Sequence, residues 1–487
     1  MILLKDLIYK ANLEEVVGDT NAAIEHVAFD SRAVTAFTAF VAVRGAAGDG
    51  HGFIDMAVEK GANAVVCEEL PKELREGVTY VRVADSRLAL AIMAGNFHGH
   101  PDRKLKLVGI TGTNGKTSVA TLLHRLHRTL GHKSGLLSTV EVRIGNTVVP
   151  ATHTTPDPLS LHALLAQMVE AGVTHCFMEV SSHAVVQQRI AGLRFAGGVF
   201  TNITHDHLDY HGTFDAYIKA KKGFFDMLPA DAFAAVNADD AHSAVMVQNT
   251  KATKSSFAVR NLADHRARVI ENQLTGLHLD IDGHEVYSRL VGEFNASNLL
   301  ATYTASILLG TPVIDVLTAL SDLGPPRGRF QVLRGTGGVL GIVDYAHTPD
   351  ALRNVLTTIA DVCGDRDRVI TVVGCGGDRD RTKRPLMAAI ATSLSRVAVL
   401  TSDNPRGEEP MAIIDEMRQG LLPTDMSRVF VNADRREAIR QAVSMAAPGD
   451  VVLVAGKGHE TYQEARGERV HFDDAEVLRE TLELLKK

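Results

Sequence analysis

Short apolar runs alternate along most of the chain with stretches whose apolar residues recur every three or four positions. The first pattern suits a strand buried on both faces, and the second suits an amphipathic helix lying over it. Their alternation predicts an α/β architecture with largely parallel sheets. The clearest unit starts at residue 106. Residues 106–110 form an apolar run, a glycine turn follows, and Val119, Leu122, Leu123 and Leu126 then fall on one helical face. Beyond residue 328, residues 339–343, 368–373, 397–401 and 451–455 read as buried strands, each ending in a polar or glycine-rich turn. Ligands of open α/β sheets bind beyond the carboxyl ends of the strands, so Asp344, Gly374, Asp403 and Gly456 are expected to converge on one site. Two punctuations, Gly-His-Pro-Asp-Arg at 99–103 and Gly-Pro-Pro-Arg-Gly at 324–328, divide the chain. They predict domains at 1–100, 101–327 and 328–487, as a chain of 487 residues is too long for one ordinary core.

Composition narrows the class only a little. Apolar residues make up 45% and charged residues 22%, the balance of a soluble globular protein. A net charge of -7 argues against general binding to nucleic acid or a membrane surface. Cys67, Cys176, Cys363 and Cys375 are scattered and form no C-x-x-C pair, which suggests neither a zinc site nor a disulfide framework. The first residues lack a signal-peptide layout, and no apolar run approaches the roughly 18 residues of a membrane span. A cytoplasmic location is expected.

Residues 112–117, Gly-Thr-Asn-Gly-Lys-Thr, carry the strongest chemical signal. Glycines let backbone N–H groups face phosphate oxygens, the helix N-terminus adds positive potential, Lys116 neutralises charge, and Thr117 can reach a magnesium ion. The strict P-loop pattern is missed because Ile110 stands where its first glycine belongs. A Gly-Lys-Thr match alone is weak, and a plain tight turn is the bland alternative. The strand before it and the helix after it favour nucleotide binding. Glu179 ends an apolar run (176–179) and suits magnesium, although a solvated strand-end carboxylate would be the reading without the loop. His205, His207 and His211 hint at zinc, but their spacing fits no standard zinc pattern and no cysteine is near.

With these motifs the chain closely resembles the Mur ligase family, which adds amino acids to the peptidoglycan precursor. The resemblance rests on residues 112–117, Met-Glu-Val-Ser-Ser-His at 178–183, Asp-His-Leu-Asp-Tyr-His-Gly at 206–212, Asn-Ala-Ser-Asn at 295–298, Asp-Tyr-Ala-His at 344–347 and Asp-Asn-Pro-Arg at 403–406, in the family's order. It implies an N-terminal UDP-binding α/β domain, a central P-loop ATPase-like domain with a mostly parallel sheet, and a C-terminal Rossmann-like domain. It also implies a reaction: ATP phosphorylates the terminal carboxylate of a UDP-MurNAc-dipeptide, an amine attacks the acyl phosphate, and ADP and phosphate leave. By resemblance Gly112, Thr113, Asn114, Gly115, Lys116, Thr117 and Ser118 hold ATP together with Asn295, Asn298, Arg329, Asp344 and His347. Lys116 contacts the transferred phosphate. Thr117 and Glu179 serve one Mg2+, while His207 and Lys221, as a carbamate, serve a second. Spacing alone would make Lys221 a surface lysine in the run Lys219, Lys221, Lys222.

Phe-Asp-Ser-Arg at 29–32, with the Ser31 hydroxyl, resembles the segment that holds the uridine, although Asp-Ser-Arg recurs at 85–87, and the Arg44-Gly45-Ala46 turn is expected to approach the base or pyrophosphate closely. Thr154, Thr155, Ser181, Gln187, Arg189 and Lys221 match positions holding the sugar-peptide portion. Arg379, Asp403, Asn404, Pro405, Arg406, Gly456 and Glu460 match the site of the incoming amino acid. A planar guanidinium at Arg406 suits the second carboxylate of meso-diaminopimelate, and Glu460 suits its ammonium. L-lysine addition and a folylpolyglutamate-synthetase-like activity are the alternatives within the fold, and a nucleotide switch without ligase chemistry is the alternative outside it. The expected partners are small molecules only, with no nucleic acid, no membrane insertion and a monomeric chain.

Overall fold

The computed structural model describes residues 1–45, 48–151, 153–206, 208–363 and 368–487. Three large sheets lie within residues 13–83, 106–288 and 331–455. The first has the strand order Leu13–Val17, Thr79–Val83, Ala62–Cys67, Thr38–Val41, His26–Ala28, parallel except for its first pair. The second has 11 strands, with His175–Glu179, Lys106–Thr111 and Gly197–Phe200 adjacent and parallel at its centre. The third runs Gln331–Arg334, Leu340–Asp344, Val451–Ala455, Val369–Cys375, Val397–Ser402, Val429–Asn432, antiparallel only at its first pair.

Alternation along each central strand supplies both faces of the core. Val108, Ile110 and Phe177 enter one apolar cluster, while Leu107, Cys176 and Met178 enter the opposite one. Val119, Leu122, Leu123 and Leu126 of the helix Lys116–Thr129 are all fully buried in the first cluster. Each such side chain contributes about 1.5–3 kcal/mol of burial, which fixes the helix start, and hence the glycine loop, against the sheet.

The ends of the 11-stranded sheet depart from parallel pairing. Val142–Ile144 with Thr147–Val149, and Gly276–Ile281 with His284–Ser288, are antiparallel hairpins. In the second, Asp282 (φ 49°) and Gly283 (φ 84°) form the two-residue turn. Positive φ at both turn positions matches the right-handed twist of the flanking strands.

Candidate functional site

The loop after Lys106–Thr111 is shaped by close approach. A side chain on Gly112 (φ 152°) would place its Cβ 1.9 Å from Thr201 Oγ1, and one on Gly115 (φ 85°) would meet Asn298 Oδ1 at 2.6 Å. Neighbours pin the residues between them. Thr113 Oγ1 lies 3.1 Å from the Tyr217 hydroxyl, and the Asn114 N–H donates to Asn202 Oδ1 at 2.9 Å. Lys116 folds back over the loop, donating to the carbonyls of Gly112 (2.9 Å) and Thr113 (2.8 Å). Burial lowers its pKa, with the Glu179 and Asp206 carboxylates opposing. Ser118 is buried behind it in the first helical turn.

Glu179 arrives on the neighbouring strand. Its Oε1 accepts from Thr117 Oγ1 at 2.9 Å and from the Thr139 N–H at 2.8 Å, so a buried carboxylate and a loop hydroxyl stand side by side. Lys221 approaches from the helix Phe214–Asp226. It is 1% exposed, its Nζ donates to the Gly112 carbonyl at 2.8 Å, and it lies 4.6 Å from the Tyr217 ring centroid. Burial, then the charge of Lys116, holds its pKa well below the ordinary lysine value. His207 lies outside the described residues. Its neighbours have protein partners: His205 stacks on Phe214 at 4.5 Å, and His211 lies 2.9 Å from Ser182 Oγ.

The sugar-peptide candidates gather beside Glu179. Thr154 accepts from Thr139 Oγ1 at 3.0 Å, and Thr155 Oγ1 donates to the Glu179 carbonyl at 2.8 Å. Ser181 caps the short helix Ser182–Val186. Arg189 donates to the Thr155 carbonyl at 2.6 Å and clasps Gln187 Oε1 at 2.7 Å. Ser31 and Arg44 sit apart from this group, in the first sheet's domain. Ser31 opens the turn Ser31–Ala33, capped by Asp30, and the second Asp-Ser-Arg copy starts the helix Ser86–Phe97 through the same kind of cap at Asp85. Arg44 is held by three carboxylates, Glu69 at 2.5 Å, Glu68 at 3.2 Å and Asp49 at 3.5 Å. Ala46, beyond that turn, lies outside the described residues.

Asn295 and Asn298 fall in the first turns of the helix Glu293–Leu308, and the structure gives their amides internal duties. Asn295 Nδ2 donates to the Val291 carbonyl at 2.7 Å, Asn298 Nδ2 donates to Asn295 Oδ1 at 3.0 Å, and Asn298 Oδ1 abuts Gly115. The pair therefore buttresses the phosphate loop.

The third sheet overhangs the loop. Arg329 donates to Thr117 Oγ1 at 3.0 Å, with its guanidinium 4.5 Å from the Tyr345 ring centroid. Asp344 accepts from the Phe330 N–H at 2.6 Å, which fixes the backbone beside Arg329. His347 lies 2.9 Å from the Tyr345 carbonyl, and burial pushes its pKa down to about 4, so it is neutral near pH 7. The carboxyl ends of the parallel strands do meet: the Gly456 N–H donates to the Asp344 carbonyl at 3.1 Å, and a Cβ on Gly456 would lie 2.8 Å from Asp403 and 3.6 Å from the Gly374 carbonyl.

At that edge Arg406 has φ 50°, a left-handed conformation that costs a non-glycine residue energy and tends to mark functional loops. Among the described residues its guanidinium donates only to main-chain carbonyls, Gly377 at 2.9 Å and Asn404 at 3.5 Å. Arg379 is exposed and bonds the Asp378 carbonyl at 3.2 Å. Pro405 is buried with its carbonyl against Gly377. Asn404 Nδ2 donates to Glu460 Oε2 at 2.7 Å. Three contributors escaped the sequence reading. Asp350 accepts from Asn114 Nδ2 at 3.1 Å, Thr139 holds Glu179, and fully buried Arg384 braces Glu408 at 2.8 Å beneath the Arg406 loop. Arg384 alone left a signal, lying in the basic run 379–384 after a buried strand.

A glycine loop backed by a buried carboxylate and overhung by a second parallel sheet defines a multidomain α/β enzyme that handles phosphate groups. Family models match in three parts: Mur ligase family, catalytic domain over residues 23–98; Mur ligase middle domain over 110–306; and Mur ligase, glutamate ligase domain over 328–458. A Cytophaga hutchinsonii protein named UDP-N-acetylmuramoyl-L-alanyl-D-glutamate–2,6-diaminopimelate ligase is 55% identical, covering 99% of this chain and 100% of its own. A Parabacteroides distasonis protein of the same name is 53% identical, with 98% of each chain covered. A solved structure under that name superposes with a TM-score of 0.70 at 31% identity, covering 99% of this chain and 98% of its own. The chain belongs to the Mur ligase family and is an ATP-dependent, amide-bond-forming ligase.

Proposed function

We propose that the protein joins meso-2,6-diaminopimelate to UDP-N-acetylmuramoyl-L-alanyl-D-glutamate in cytoplasmic synthesis of the peptidoglycan precursor. A carboxylate is a poor electrophile, so ATP phosphorylates the dipeptide's terminal carboxylate and the amine displaces phosphate from the acyl phosphate. Positioning and charge neutralisation carry most of such catalysis. Lys116 moves from the loop carbonyls it occupies to the transferred phosphate, and Arg329, already at Thr117, adds a second cation from the overhanging sheet. Thr154, Thr155, Ser181, Gln187 and Arg189 bind the sugar-peptide next to Glu179, and Ser31 and Arg44 bind the uridine end.

The oxygen donors at Thr117 and Glu179, 2.9 Å apart, suit a hard divalent cation. Mg2+ would be held there, and a second ion by His207 and Lys221 as its carbamate; bound magnesium screens the triphosphate charge. A buried, neutral lysine amine is the form that reacts with carbon dioxide, which supports the modification of Lys221.

One observation carries the choice of amino acid. Arg406 is held in a left-handed loop by carbonyl groups with no carboxylate partner among the described residues, ready for the substrate's second carboxylate. Among those residues no helix is long and apolar enough to cross a membrane, and the substrates are small and water-soluble; we take the enzyme to act as a monomer. Purified protein should release ADP stoichiometrically with a new amide, and only when ATP, UDP-dipeptide and amino acid are all present. Phosphate release without an amide would mark a nucleotide switch and overturn the proposal.

A further inference from the structure

The strand Val451–Ala455 ends in a tight turn in which the Glu460 N–H donates to the Lys457 carbonyl at 2.9 Å. Lys457 is 0% exposed, and its ammonium points inward at two groups: Asn404 Oδ1 at 2.9 Å and Glu460 Oε2 at 3.1 Å. Asn404 is gripped from three sides. Its Oδ1 also accepts from the Glu464 N–H at 3.0 Å, and its Nδ2 donates to Glu460 Oε2 at 2.7 Å. Its amide orientation is thereby fixed and its hydrogen-bonding capacity largely spent inside the protein. Glu460 is left asymmetric: Oε2 has two protein donors, and no hydrogen bond to Oε1 occurs among the described residues.

A buried lysine is costly unless paired, and a carboxylate held by one oxygen presents the other in a set direction. We infer that Lys457 is a positioning residue for the ligation: by holding Oε2 of Glu460 and Oδ1 of Asn404, it aims Glu460 Oε1 at the ammonium of the incoming amino acid. This rests on the amino-acid site proposed above and adds the group that orders it. Besides Lys457, Glu460 faces Asp403, Arg435, Tyr345 and Tyr462. Burial and Asp403 raise the Glu460 pKa, and Lys457 opposes them. Removing the lysine therefore raises it further and protonates Glu460 at a higher pH.

The test compares wild type with Lys457→Met in steady-state kinetics across pH. Loss of a charge-assisted hydrogen bond that orders a binding group should raise KM for diaminopimelate about ten- to a hundredfold. KM for ATP and for the UDP-dipeptide should hold and kcat change little, while the acid limb of the amino-acid 1/KM profile moves to higher pH. An equal rise in all three KM values, or an unmoved acid limb, overturns the inference. Lys457→Met leaves Glu460 and Asp403 facing one another and can fail to fold. In that case Lys457→Met/Glu460→Gln is compared with Glu460→Gln alone: equal amino-acid KM values support the coupling, and a further tenfold rise contradicts it. If wild type proves to use another amino acid, the substrate proposal fails by itself, and the same comparison is read with the amino acid it accepts.

Discussion

Lys116 and Lys221 donate to one carbonyl oxygen, that of Gly112, with Lys221 buried and Lys116 half-buried. Two ammonium groups so placed repel, and burial lowers the pKa of both, that of Lys221 well below the ordinary lysine value, which favours its neutral amine. If Lys221 carries the proposed carbamate, Lys221→Ala should lose activity about a hundredfold or more, with partial recovery on adding a short-chain carboxylic acid that replaces the carboxylate-like group. Full activity without additive would refute that role. Residue roles were unevenly legible. Glu179 could be read because a strand end ahead of a polar turn is where α/β sites collect ligands. Lys221 could not be read from spacing, because Lys222 beside it does pair at the surface with Asp226. What buries Lys221 is the helical face it shares with Tyr217, Phe224 and Phe225. Arg44 was read as substrate-binding from its place in a glycine turn; its ties to Asp49, Glu68 and Glu69 depend on a fold that no local pattern shows.

The helix Lys116–Thr129 links the site to the amino ends of the central strands, where His127 meets His175. It carries two buried histidines. His124 Nδ1 lies 3.0 Å from Ser134 Oγ, and His127 packs between His175 (4.8 Å) and Phe177 (5.0 Å) with neither ring nitrogen bonded among the described residues. Burial pushes the pKa of both down to about 3, and that of His175 to about 4. A depressed histidine pKa means the fold prefers the neutral ring. The stability is therefore fully present above the unfolded value of about 6.5 and is lost as pH falls below it, by about 1.4 kcal/mol per histidine at pH 5.5. The melting temperature should be flat from pH 8 to pH 7 and fall steadily below pH 6.5. His127→Leu should flatten that fall; an unchanged slope would exclude His127 as a source. At this scale the parallel strands were readable as short apolar runs. The hairpins at the sheet's ends were not, although Asp282-Gly283 is a strong local turn signal, because their flanking residues are half exposed and break the apolar run.

Across the described residues, Arg329 on Thr117 and Asp350 on Asn114 seat the third sheet's domain on the phosphate loop. Such closure excludes water from a phosphoryl-transfer site. Asp350→Ala should raise KM for ATP several-fold, about the worth of one charge-assisted hydrogen bond, without lowering the melting temperature; wild type should become more compact by small-angle scattering when nucleotide is added, and the variant less so. Unaltered compaction would remove Asp350 from the closure. No sequence pattern announced this contact, since 236 positions separate its partners. The identity of the added amino acid is tested most directly by an amino-acid panel with the UDP-dipeptide, read by product mass. A diaminopimelate-containing tripeptide is expected, with very poor use of L-lysine, because a site built to pair the second carboxylate leaves Arg406 unsatisfied with lysine. Equal incorporation of lysine and diaminopimelate would contradict it.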